Sequence, residues 1–231
     1  MSEAAQAMAN GQALQIARAF LPEHPLGNRW DYYYSRAKLG SDPLYPGVSA
    51  ALRGSRAPLL DLGCGLGLLA HTLHADGIAL PYRGVDSDAG KIRRAARAAA
   101  RAGLNEARFD TVDLSREVPE HRGSVVILDV LQFIPFPAQA RAIDAMIAML
   151  TPGARLVIRT GLDDGTGRAR VTRVTDLFSR AVGWMNAMPR YYPNGDALRA
   201  RLREAGLAVE FTPLFGKTPF NNWRIVAVKP E

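Results

Sequence analysis

Asp61, Asp86, Asp113 and Asp129 recur along the chain, each within or just past a short apolar run, and three glycines follow the first of them at Gly63-x-Gly65-x-Gly67. Glycines at alternate positions clear the backbone for a ligand that approaches closely, and carboxylates at strand ends can accept hydrogen bonds or face a positive charge. A dinucleotide-binding loop reads Gly-x-Gly-x-x-Gly and sets the following helix against a pyrophosphate. Here the third glycine comes one residue early, at Gly67, and an acid, Asp61, precedes the loop. A carboxylate in that place repels a phosphate and attracts a cation. The common nucleoside cofactor with a cationic end is S-adenosylmethionine, which bears a sulfonium and an amino group, and it is the cofactor this loop predicts.

The other acids extend the same reading. Asp86 closes the run "YRGVD", about 20 residues beyond the glycines, where a carboxylate can take two hydrogen bonds from ribose hydroxyls. The structural alternative at that point is a helix N-cap, which Ser87 or Asp88 would serve as well. Asp129 ends the run "SVVIL", at the edge where open α/β sheets bind ligands. Cys64, inside the loop, reads as a small residue that packs tightly, because the local motif holds no histidine to activate it as a nucleophile. His71 and His74 lie one turn apart, a spacing compatible with a metal, but no further His or Cys cluster completes a site and no metal is expected.

To position these groups the chain must alternate strands and helices. Apolar runs at about 58–62, 81–86, 107–112, 124–129, 155–160, 208–213 and 223–229 read as strands. Helical patterns fall at about 66–76, 88–102, 137–150 and 195–206, with another around 170–186. The last two strands follow each other too closely for a crossover helix, so they should be antiparallel neighbours. The expected fold is α/β: a Rossmann-like, doubly wound sheet of seven strands, mostly parallel, with an antiparallel last strand and an N-terminal helical cap. Residues 1–57 are expected to form the cap or substrate lid and 58–231 the Rossmann-like domain.

In this order the motifs resemble the class I S-adenosylmethionine-dependent methyltransferases, through "LLDLGCGLG", "YRGVDSDAGKI", "ARFDTVDLS" and "SVVILDVLQFIP". The resemblance implies cofactor contacts from Asp61, from Gly63, Cys64, Gly65 and Gly67 of the loop, and from Asp86 and Ser87 after the second strand. It implies that an acid after the third strand accepts from the adenine amino group, Asp113 with Leu114 beside the ring, Asp110 being the competitor. Asp129 then lies near the methionine end and the transferred methyl. "DVLQF" departs from the Asn/Asp-Pro-Pro-aromatic pattern of exocyclic-amine methylases that act on nucleobases.

Acceptor recognition falls to the N-terminal segment, where "NRWDYYYSRAKLGSDPLYPG" concentrates aromatic and cationic side chains. Two readings stand for it: a packed aromatic helix with solvated cations, or a cleft-facing cap in which Tyr33 covers the cofactor and Arg36 or Lys38 pairs with a carboxylate. Candidate bases are Asp129, His24 in "LPEHPLG" and the tyrosines, Tyr33 among them. This segment and "GKTPFNNW" also resemble methyltransferases encoded with bacterial aryl-polyene pigment biosynthesis, which implies an aromatic acceptor, free or carried on an acyl carrier protein; Gln132 departs from the histidine expected in that subgroup.

The net charge of +7 over 231 residues is mostly arginine, scattered rather than run together, which argues against a nucleic-acid arm. An RNA methyltransferase and a non-catalytic binding scaffold stand as the competing functions. No apolar stretch approaches the roughly 20 residues of a membrane span, and the acid near the N-terminus and the lone cysteine fit a cytoplasmic protein.

Overall fold

The computed structural model describes residues 6–163, 191–214 and 221–231. Seven strands form one sheet in the order β3-β2-β1-β4-β5-β7-β6: β1 Leu59–Leu62, β2 Tyr82–Asp86, β3 Ala107–Thr111, β4 Ser124–Leu128, β5 Arg155–Gly161, β6 Ala208–Pro213 and β7 Asn222–Val228. β1 to β5 pair in parallel, and β7 runs antiparallel between β5 and β6. The expected fold is the observed one, with strand ends within a residue or two of the apolar runs.

Because β1 and β4 are central, they are buried on both faces, and alternate residues feed two separate cores. Leu60, Leu62, Val125, Ile127, Leu156 and Ile158 face α6 (Phe136–Met149) and α7 (Gly195–Glu204). Leu59, Tyr82, Val126 and Val157 face α3 (Leu44–Leu52) and α4 (Leu68–Ala75). α5 (Ala89–Arg101) packs on β3 and is capped by Asp88, which accepts from the amides of Gly90 and Lys91. The helix expected around 170–186 lies outside the described residues.

The N-terminal segment is less of a unit than the sequence suggests. α1 (Asn10–Ala17), a 3₁₀ turn at Arg18–Phe20 and α2 (Trp30–Ser41) pack together beside α4 and α5. α3 instead belongs to the sheet: Leu44, Val48 and Leu52, each no more than 2 % exposed, are part of the same core as Leu59 and Val157. Lys38 in α2 and Asp42 just past it reach Asp129 and Arg159 at the ends of β4 and β5, while residues 44–52 are a core layer whose removal would uncover the sheet.

Candidate functional site

The glycine loop bridges β1 and α4, and the amides of Gly63 and Cys64 both donate to the Val85 carbonyl (2.7 and 2.9 Å), pinning it to the end of β2. All three glycines have positive φ, +78°, +57° and +73°, yet they do different things. A Cβ on Gly63 would meet Val130 at 2.3 Å, and one on Gly67 would meet the Phe109 ring at 2.7 Å. A Cβ on Gly65 would find nothing within 4 Å. Two glycines thus allow close packing, and the middle one borders open space that a ligand can enter.

Asp86 reaches back across this loop. Its Oδ2 accepts from the Gly65 amide (3.0 Å) and its Oδ1 from the Asp88 amide (2.9 Å). A carboxylate has about four acceptor positions, so each oxygen keeps one for vicinal hydroxyls. The helix-capping alternative is filled by Asp88, and Ser87 is exposed. Cys64 packs over Gly84, and burial, with the charges of Asp61 and Asp86, drives its thiol pKa upward, so it stays a thiol.

Asp61 is 2 % exposed. The Tyr82 hydroxyl donates to its Oδ2 (2.5 Å), while Oδ1 is buried with no hydrogen-bond partner. Burial raises its pKa to about 7, against the Tyr82 bond, which lowers it, and with the Asp86 charge adding to the rise. A buried carboxylate oxygen with no donor is costly and is the group a cationic ligand would satisfy. These residues fit a cofactor with a ribose and a positively charged end.

Asp113 and Leu114 follow β3. Asp113 is exposed, accepts from the amide and hydroxyl of Ser115 (2.9 and 2.7 Å), and is held below the usual carboxylate range by those bonds. Leu114 is half-buried against the core. The competitor, Asp110, is tied to Arg83 (2.8 Å). Of the two histidines on α4, His71 is buried against Phe20 and His74 is exposed; among the described residues no group of three or more His, Cys, Asp or Glu could hold a metal ion.

At the other end of the site Asp129, just past β4, sits at φ +60°, the one non-glycine residue with positive φ among those described. Its Oδ2 pairs with Arg159 of β5 and, at 3.6 Å, with Lys38 of α2. Lys38 also binds Asp42 (2.6 Å), and Asp42 returns to Arg159 (3.2 Å), closing a ring of two cations and two anions. Arg159 is 3 % exposed and Asp42 7 %. Burial alone would push the Lys38 pKa down and that of Asp42 up; the opposite charges win, raising Lys38 and lowering Asp42, so both stay ionised. Tyr34 is packed beside this ring, its phenol raised by burial.

Three sequence candidates need correcting. Tyr33 does not cover the site: it is 55 % exposed, its ring edge-on to Tyr32. Tyr34, one residue later, is the tyrosine turned inward. Arg36 is exposed and Lys38 alone of the two cations reaches Asp129. His24 is exposed, and its Nδ1 accepts from the Leu26 amide (3.2 Å) within its own loop. Gln132 is buried and accepts from the Thr160 hydroxyl (3.1 Å). Sequence reasoning missed Arg159 and Asp42; the signal for the first was a charge inside the otherwise apolar "RLVIRT".

Residues 59–153 match a family described as a methyltransferase domain. The ubiquinone biosynthesis O-methyltransferases of Xylella fastidiosa strains M23 and 9a5c are 27 % and 28 % identical over 187 residues, covering 76 % of this chain and 70 % of the relatives. An O-methyltransferase family protein from Burkholderia thailandensis superposes with a TM-score of 0.65 at 20 % identity, over 87 % of this chain; the chain spans 59 % of that protein's length. Magnesium protoporphyrin IX methyltransferase from Synechocystis PCC 6803 with bound SAH gives 0.63 at 19 % identity, over 95 % of both chains. At these identities the solved structures establish a shared Rossmann-like fold.

Proposed function

We propose that this S-adenosylmethionine-dependent methyltransferase passes the methyl group to a hydroxyl oxygen of a small aromatic acceptor. The observation that carries the acceptor chemistry is Asp129, an anion fixed by Arg159 and Lys38 beside the inward-facing Tyr34, read together with the likeness to O-methyltransferases. The aromatic character follows from the N-terminal motif, and the acceptor, free or carried, enters under α2.

When bound, S-adenosylmethionine supplies an electrophilic methyl group on its sulfonium. The chain's contribution is to hold and orient, which can supply about 7–11 kcal/mol in well-aligned reactions. Asp86 accepts from the ribose, Asp113 and Leu114 take the adenine, Gly65 admits the cofactor's approach and Asp61 supplies negative charge. Asp129 Oδ1, which has no partner among the described residues, accepts from the acceptor hydroxyl and aims it. Oδ2 is already taken by Arg159 and Lys38, so the part assigned to Asp129 is to orient the hydroxyl through Oδ1.

The test is to incubate the protein with S-adenosylmethionine and panels of phenols, catechols, anilines and transfer RNA, identifying products by mass spectrometry. Methylated phenols or catechols are expected. Transfer to anilines or RNA alone, or none with intact cofactor binding, would replace this reading with an amine methylase, an RNA enzyme or a binding scaffold.

The carboxyl of Asp61 gives a pH prediction. Its folded pKa is raised, so its contribution to stability is fully present below the unfolded carboxylate value and is lost as pH rises through about 7. A cationic ligand reverses this preference by requiring the anion. Cofactor affinity should therefore weaken about tenfold per pH unit below 7, with a proton released on binding at pH 6 and none at pH 8.5. Calorimetry in buffers of different ionisation enthalpy measures both. Asp61→Asn should bind weakly, with no pH dependence and no proton release.

A further inference from the structure

Leu26 is 90 % exposed, Trp30 53 % and Tyr33 55 %, three of the four exposed large hydrophobic side chains among the described residues. All three lie on one loop and the first turn of α2, Leu26 at a tip between Pro25 and Gly27. Cations surround them. Arg29 and Arg36 are exposed on the same segment, and Trp30 lines a cavity of about 460 Å³ with Arg94, Arg97 and Arg101 of α5. The local acids are already engaged: Asp31 with Arg94 (2.9 Å) and Glu23 with Arg101 (3.9 Å). Arg93 and Arg97 are exposed and pair with no acid among the described residues.

We infer that this face docks on anionic lipid bilayers. A leucine held out at a loop tip gains by entering the headgroup–acyl boundary. Trp and Tyr are the residues whose rings suit the interface, apolar body inward and polar edge outward. Guanidinium groups bind phosphate oxygens in pairs, and in the cavity beside Trp30 Arg97, which pairs with no acid among the described residues, is the one offered to a lipid phosphate, next to the paired Arg94 and Arg101. A protruding apolar tip ringed by cations complements a soft, planar, anionic surface; a folded acidic partner would need a hollow to receive Leu26. The docking inferred is peripheral, and no helix of the described residues is long and apolar enough to cross a membrane.

The full chain is sedimented with vesicles of pure phosphatidylcholine and of phosphatidylcholine mixed with phosphatidylglycerol. Binding to the mixed vesicles alone, weakened by salt, is expected. The pair Leu26→Asp with Trp30→Ser, and separately Arg93→Glu with Arg97→Glu, should each lower vesicle affinity by about tenfold or more. Both variants should keep the wild-type circular dichroism spectrum and cofactor affinity, which separates lost docking from unfolding. No binding to mixed vesicles, or variants that sediment like wild type, would overturn the inference. So would displacement by inorganic phosphate at the lipid-phosphate concentration, or retention of transfer RNA that survives Leu26→Asp, which would mark a free-anion or nucleic-acid surface.

Discussion

Asp86→Ala is expected to weaken cofactor binding by at least about a hundredfold. Two hydrogen bonds from ribose hydroxyls to a carboxylate are worth roughly 1.5–3 kcal/mol each, and about 3 kcal/mol corresponds to a factor of about a hundred in Kd. The substitution also removes the acceptor for the Gly65 and Asp88 amides, so the loop loses the tie that holds its open side in place. Titration with S-adenosylhomocysteine measures the loss. Asp86→Asn separates the two effects, because its one carbonyl oxygen can still hold an amide while the charge and half the acceptor positions are gone; an intermediate affinity is expected. Wild-type affinity in Asp86→Ala would remove the ribose from this residue. Asp88 would be a poor replacement, since its Oδ1 already caps α5 through Gly90 and Lys91.

This half of the site was legible in the sequence because it is local. The strand–loop–helix that presents Gly63, Gly65 and Gly67 is continuous, and the acids at 86, 113 and 129 come at the ends of strands whose apolar runs mark their own limits. Parallel pairing then brings those ends to one edge of the sheet, so spacing along the chain becomes proximity in space. What spacing cannot show is that Gly63 and Gly67 answer to Val130 and Phe109, residues far along the chain.

The N-terminal segment was legible only in part. The tyrosine run announced a helix, but choosing between Tyr33 and Tyr34 needs the helix's rotation, and that is set by packing of Ser35 and Leu39 rather than by the tyrosines. α3 was hidden because "LYPGVSAAL" carries Pro46 and Gly47; proline costs little in a first turn, where its missing amide would have no partner. Arg159 and Asp42 are 117 residues apart and meet only once the junction between α2 and α3 has packed against the end of β5.

That meeting gives Arg159 a large expected effect on stability. One of its terminal nitrogens serves Asp129 and the other Asp42, all three at least partly buried. Arg159→Leu fills the space with an apolar side chain but leaves two carboxylates sharing Lys38. Removing one partner of a buried ion pair costs about 3–5 kcal/mol, and that loss is expected in urea unfolding at pH 7. Its pH dependence distinguishes charge from packing. In the wild type the Asp42 pKa is lowered, so its contribution is present above the unfolded value and is lost as pH falls below that value and through the folded one. Without Arg159 the largest of the influences that lower the Asp42 pKa is gone, the pKa rises above its wild-type value, and protonation relieves the variant as the pH drops. The stability gap between the two proteins should be widest at neutral pH and narrow towards pH 4. Asp42→Asn should rescue part of the defect, and Arg159→Lys should recover less than half of it, because an ammonium cannot reach both carboxylates with separate nitrogens. A gap that stays constant with pH, or that Asp42→Asn leaves untouched, would mean that Arg159 stabilises the fold through the packing of its side chain and that the ring of charges contributes little.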